Sequence, residues 1–149
     1  MTRSFGSRPV RTPWHLWIVG TLGLLWSAIG AFDYVMTETR NATYMSAFTP
    51  EQLAFFYGFP AWVVAAWAIA VWGGVLGSVL LLMRNRFAVW VLFVSLAGLL
   101  LTTFHNYVLS NGMALFGDAG SQVLALLIFL ISLGLFLYAR AMRRLRVLD

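Results

Sequence analysis

Four stretches of this 149-residue chain run almost unbroken through apolar side chains: Trp14 to Met36, Pro60 to Met83, Phe87 to Leu109, and Gly120 to Ala139. Each is about 20 residues or longer, and at about 1.5 Å of rise per residue such a helix crosses a hydrocarbon core of roughly 30 Å. The pattern predicts an all-α membrane protein, a bundle of four transmembrane helices forming a single domain over residues 1–149. The first stretch exceeds the apolar region of a secretory leader and is expected to be a retained helix.

Between the stretches, residues 37–59 make the one long connection. Within it Thr49-Pro50-Glu51-Gln52 combines a capping hydroxyl, a proline suited to the first helical position, and a glutamine placed to close a capping box. A short amphipathic helix from about Pro50 to Tyr57 should follow. Its run Phe55-Phe56-Tyr57, with Phe59 beyond, would cover the bundle mouth or lie among lipid headgroups. Asn41-Ala42-Thr43 matches a glycosylation sequon, a match expected to be coincidence.

Small residues recur at helical spacing in every stretch. Gly20, Gly23, Ser27, Gly30 and Tyr34 share one face of the first; Ala66, Ala70, Gly73 and Gly77 share one face of the second. Ser95, Gly98, Thr102 and His105 do so in the third, and Ser121, Ala125, Ile128 and Ser132 in the fourth. Lipid gives helices no hydrophobic reason to associate, so contact energy must come from backbones approaching closely across such stripes. The stripes are expected to turn inward, or one of them to serve oligomerisation.

Composition agrees with a bilayer: 61% of residues are hydrophobic and 10% charged, with a mean hydropathy of +0.83, whereas soluble domains average about 25% charged residues. The absence of cysteine removes disulfides, thiolate metal sites and cysteine nucleophiles from consideration. The net charge of +5 does not point to nucleic acid, because the arginines flank the apolar stretches in short clusters. Arg3, Arg8, Arg11, Arg84, Arg86, Arg140, Arg143, Arg144 and Arg146 fall at one end of the bundle, and Arg40 alone at the other. By the positive-inside rule the arginine end and both termini are expected in the cytoplasm. All basic residues being arginine, in an Ala-, Gly- and Leu-rich chain, suggests a bacterial source and hence the inner membrane.

Candidate chemistry gathers at the opposite end. Asp33 lies about 8 residues past the midpoint of its span and His105 about 7 past its own, both roughly 10 to 12 Å outward. Tyr34, Trp62, Asn106 and Gln122 fall at a similar height, so these six are the candidate ligand-binding residues. An ionisable group inside a membrane generally faces a pathway or ligand. The competing reading leaves Asp33 at the interface, in headgroup water or paired with Arg40, and leaves His105 as a hydrogen-bonded interfacial histidine. His15 lies roughly 25 Å from His105 along the membrane normal. One copy cannot bring both imidazoles to a single haem iron. The chain has no Gly-rich phosphate loop, nucleophile elbow or H-E-x-x-H helix, and neither enzymatic activity nor a cofactor or metal is expected.

WSAIGAFDYVMTETR, followed by FTPEQLAFFYGFPAWVVAAWAIAVWGG, resembles a family of small uncharacterised bacterial inner-membrane proteins with four helices, some labelled sugar transporters. The likeness runs from about Pro13 to Arg144, and its best marks are Trp26, Gly30, Asp33, Tyr34 and the Thr49 to Gln52 cap. It implies fold and membrane placement and brings no site residues. Two functions follow as expectations: binding or transport of a small polar solute such as a sugar, or an accessory role in a larger membrane complex or homo-oligomer.

Overall fold

A backbone in hydrocarbon finds no water, so each crossing must satisfy its own amides, and an apolar stretch of this length does so as a helix. The computed structural model, which describes residues 10–149, has helices long and apolar enough to cross a membrane at Trp14–Glu38, Ala61–Leu82, Ala88–Leu109 and Ala119–Arg144. In chain order the elements are α1 (Trp14–Glu38), α2 (Ala42–Met45), α3 (Pro50–Tyr57), α4 (Ala61–Leu82), α5 (Ala88–Phe104), α6 (Gly112–Phe116) and α7 (Ala119–Arg144). A π-helical turn, His105–Leu109, continues α5 to the end of its span. The chain is thus a multi-pass membrane protein of four spans packed as a bundle. Arg3 and Arg8 lie outside the described residues.

The predicted capping box forms as drawn. Gln52 N donates to Thr49 Oγ1 at 3.2 Å, and Thr49 N donates to Gln52 Oε1 at 3.1 Å. Pro50 opens the helix, where its missing N–H costs nothing.

α4 is central and packs against both α1 and α5. Its glycines make this possible: a Cβ on Gly74 would lie 2.8 Å from Ser27 Oγ of α1, and one on Gly73 would lie 2.9 Å from Ser95 Cβ of α5. At Gly98 the neighbour is backbone itself, and a Cβ would sit 2.7 Å from the Ala66 carbonyl oxygen. Ser95 Oγ donates to the Ala70 carbonyl at 2.6 Å, fastening the same seam. Leu22, Leu25, Ile29 and Phe32 of α1 are exposed on the outside, as lipid contact requires.

α7 departs from expectation. Its stripe of Ser121, Ala125, Ile128 and Ser132 is only half-buried, and its buried residues are Leu135, Ala139 and Met142, all in the last turns. The helix is anchored at the arginine end and loosely packed at the other. The anchor includes the tail that follows: Val147 and Leu148 join Leu16, Leu81 and Leu92 in the hydrophobic core. Asp149 clasps the turn between α4 and α5, its N–H donating to the Arg84 carbonyl and its carbonyl accepting from Arg86 N–H, both at 2.7 Å.

Three helices end alike. Arg40, Arg84 and Arg146, with φ of 53°, 55° and 58°, each occupy the left-handed position that closes α1, α4 and α7. The following residue returns an N–H to a carbonyl of the last turn: Asn41 to Met36, Asn85 to Leu80 and Val147 to Met142. Glycine is the usual occupant, since a side chain there costs about 1–2 kcal/mol.

Gly98→Ala should cost about 1–3 kcal/mol, because the new methyl meets rigid backbone. Gly134→Ala, whose Cβ meets nothing within 4 Å, should instead stabilise by about 0.5–1 kcal/mol, the helix-propensity advantage of alanine over glycine. Reversible unfolding in detergent compares the two, and an equal effect would contradict the packing described.

Candidate functional site

The end opposite the arginines is built by the long connection. The Asn41 side chain accepts from Tyr44 N–H at 3.0 Å, capping α2. That single turn swings the Tyr44 ring against Phe32, edge-on at 5.8 Å. The Tyr44 hydroxyl then donates to Asp33 Oδ1. A phenol supplies the donor that a carboxylate near lipid needs. Burial, then the hydrogen bond and charge of Asp33, push the Tyr44 pKa up to about 12. Arg40, the partner considered from sequence, instead lies over the Tyr57 ring at 4.2 Å. Its left-handed backbone ends α1 and takes the side chain off the face that carries Asp33.

Tyr34 projects elsewhere and meets Trp67 of α4 edge-on at 4.9 Å. From there a train of edge-to-face contacts crosses the bundle: Trp67 to Phe59 at 6.0 Å, Phe59 to His105 at 5.6 Å, and His105 to Trp62 at 5.5 Å. His105 is 8% exposed, and its Nδ1 lies 3.2 Å from Asn106 Oδ1. It opens the π-helical turn; such turns often occur at functional positions. The chain then folds back through Gly112, where a Cβ would lie 2.3 Å from the Asn106 carbonyl oxygen.

Gln122 braces the last connection, donating to the Phe116 carbonyl at 2.8 Å and lying 3.5 Å from the Tyr107 hydroxyl. Asp118 caps α7, accepting from Ser121 N–H at 3.0 Å and from the Ser121 hydroxyl at 2.7 Å. These bonds hold its carboxyl below the usual range. Phe55 and Phe56 of α3 pack on Phe116 of α6, so the two short helices cover this end together.

Beneath that cover is an open groove of about 550 Å³. Glu51, His105, Ser110 and Asn111 supply its polar groups, with Phe55 and Leu115 among its apolar ones. Of the six residues singled out in the sequence, His105 lines it. Tyr34 and Trp62 belong to the aromatic train, Asn106 is the partner of His105, Asp33 is bonded to Tyr44, and Gln122 to the α6 connection. Glu51, Ser110 and Asn111 were not foreseen as site residues, because only the fold-back after the π-helical turn brings them beside α3. Among the described residues, no group of three His, Cys, Asp or Glu side chains stands ready to hold a metal ion.

Compared with models of known families, with curated proteins and with solved structures, the chain matches none. What fold and geometry define is a class, a four-span membrane protein whose connections build a polar groove at one end of the bundle.

Tyr44→Phe removes the donor to Asp33 and should cost about 1 kcal/mol, below the usual range for a charged acceptor because the pair is only part-buried. Since folding raises the tyrosine pKa, its contribution is complete below about pH 10 and disappears as pH rises toward 12. Unfolding of wild type and variant from pH 8 to 12 should show the difference shrinking over that interval. A constant difference would mean that the hydroxyl is not the source.

Proposed function

We propose that this protein is a non-enzymatic component of a bacterial inner membrane that binds a small polar solute, of which a sugar is the best example, in the groove beneath α3 and α6. The observation that carries the reading is the lining itself. Residues bearing a carboxylate, an imidazole, a hydroxyl and an amide line about 550 Å³ together with Phe55. Sites for small polar molecules combine an apolar wall with a few directed polar groups in this way. The ring suits the C–H face of a sugar, while Glu51 and Asn111 suit adjacent hydroxyls. Arginine asymmetry supports both termini in the cytoplasm, which opens the groove toward the periplasm. Transporters commonly hold substrate near the bilayer midplane between repeats; a groove at the end of a single bundle fits binding, with transport left to an oligomer.

A second reading, an accessory subunit or homo-oligomer, is favoured by the first half of α7, which has no buried residue before Leu135. Under it, a neighbouring helix completes the packing of the Ser121 to Ser132 stripe.

A calorimetric screen of purified protein against monosaccharides, disaccharides and polyols separates the two. Glu51→Gln and His105→Ala should each weaken binding about tenfold or more, the worth of a charge-assisted or buried hydrogen bond. Asp33→Asn should leave affinity within about twofold, its carboxylate being engaged by Tyr44. Equal affinity in all variants, or no solute bound, would remove the groove as a site and leave the accessory reading.

A further inference from the structure

The arginine end carries a cavity unrelated to the groove. About 470 Å³ lies between the start of α5 and the end of α7, and Arg140, Arg143 and Arg144 line it. Phe136 sits one turn before Arg140, and the spacing 136, 140, 143 and 144 places all four on one face of α7. Val89, Trp90 and Phe93 from the first two turns of α5 complete the wall. The Phe93 and Phe136 rings meet at 5.6 Å. No carboxylate lines the cavity.

Three guanidinium groups within five residues repel one another, and the negative end of the α7 dipole offsets only part of that. They need an anion. Guanidinium forks match phosphate oxygens in geometry as well as charge. The apolar walls decide which phosphate: Trp90 and Phe93 are 57% and 48% exposed and lie at the first turns of a membrane span. A soluble anion has no use for that surface, whereas the chains of a lipid do. Basic pockets between helices at a membrane border are a recurrent means of holding anionic headgroups.

We propose that this cavity is a binding site for an anionic phospholipid, its phosphate held by Arg140, Arg143 and Arg144 and its proximal acyl chain laid along Trp90, Phe93 and Phe136. A lipid seated between α5 and α7 adds to the contacts of Leu135 and Ala139 at the same end.

Native mass spectrometry of delipidated protein, titrated separately with dioleoyl-phosphatidylglycerol and dioleoyl-phosphatidylcholine, tests the proposal. Each arginine near an anionic headgroup is worth about fivefold, so phosphatidylglycerol should be preferred about a hundredfold. Arg140→Gln, Arg143→Gln and Arg144→Gln together should abolish that preference, and each alone should cost about fivefold should the triple variant not fold. A control with Arg11→Gln, Arg86→Gln and Arg146→Gln removes equal charge from the same end and should retain the preference. Millimolar inorganic phosphate should leave lipid binding unchanged. Equal loss in the control, or displacement by inorganic phosphate, would overturn the site, the first showing general attraction and the second a soluble anion.

Discussion

The close approach of α4 to its two neighbours is the contact on which the rest of the molecule depends. Gly73 and Gly77 give it a small face toward α5, and Gly74 gives it another toward α1. In lipid, dispersion between backbones so close together is the main source of helix association. The seam is tight enough that Ser78 is fully buried there, its hydroxyl without a hydrogen-bond partner among the described residues. Such a group costs about 1–3 kcal/mol, which the surrounding contacts must outweigh. With α1, α4 and α5 fixed in this way, α7 needs only its last turns to attach, and the clasp of Asp149 on the turn between α4 and α5 completes that attachment.

The two ends of the bundle solve opposite problems. At the arginine end, positive charge is concentrated around an apolar core, and the cavity between α5 and α7 gathers three of those charges beside aromatic walls. At the other end, the problem is a carboxylate inside the last turns of a span. The solution is local: Asn41 stops and restarts the chain so that Tyr44 returns to Asp33. That leaves Asp33 satisfied within the protein, and the polar surface still open to a solute is the one beside His105.

Much of the fold was legible in the sequence because its cause is simple. Uninterrupted apolar stretches of bilayer length fix four helices, and the Thr49 to Gln52 box announces α3 through two hydrogen bonds that depend only on neighbours in sequence. The stripes of α1, α4 and α5 reported their buried faces for the same reason. The stripe of α7 did not, since a periodic pattern says which face could pack and not whether a neighbour comes close. The candidate site was legible only in part. His105 was placed by depth, but its partners Glu51, Ser110 and Asn111 are brought in by the π-helical turn and the fold-back at Gly112, features with no periodic signature. Tyr44 is not legible as the partner of Asp33, because a four-residue helix capped by Asn41 is too short to leave a periodic pattern.

All of this requires that the polar groove and the arginine cavity lie on opposite faces of a bilayer. A chain without cysteine permits a direct measurement: single cysteines at Glu51, Asn85 and Asp118, labelled in intact cells with a membrane-impermeant thiol reagent. The expected result is labelling at 51 and 118 from outside, and at 85 only after the membrane is opened. Labelling of 51 and 85 from the same side would contradict the four-span arrangement and everything built on it.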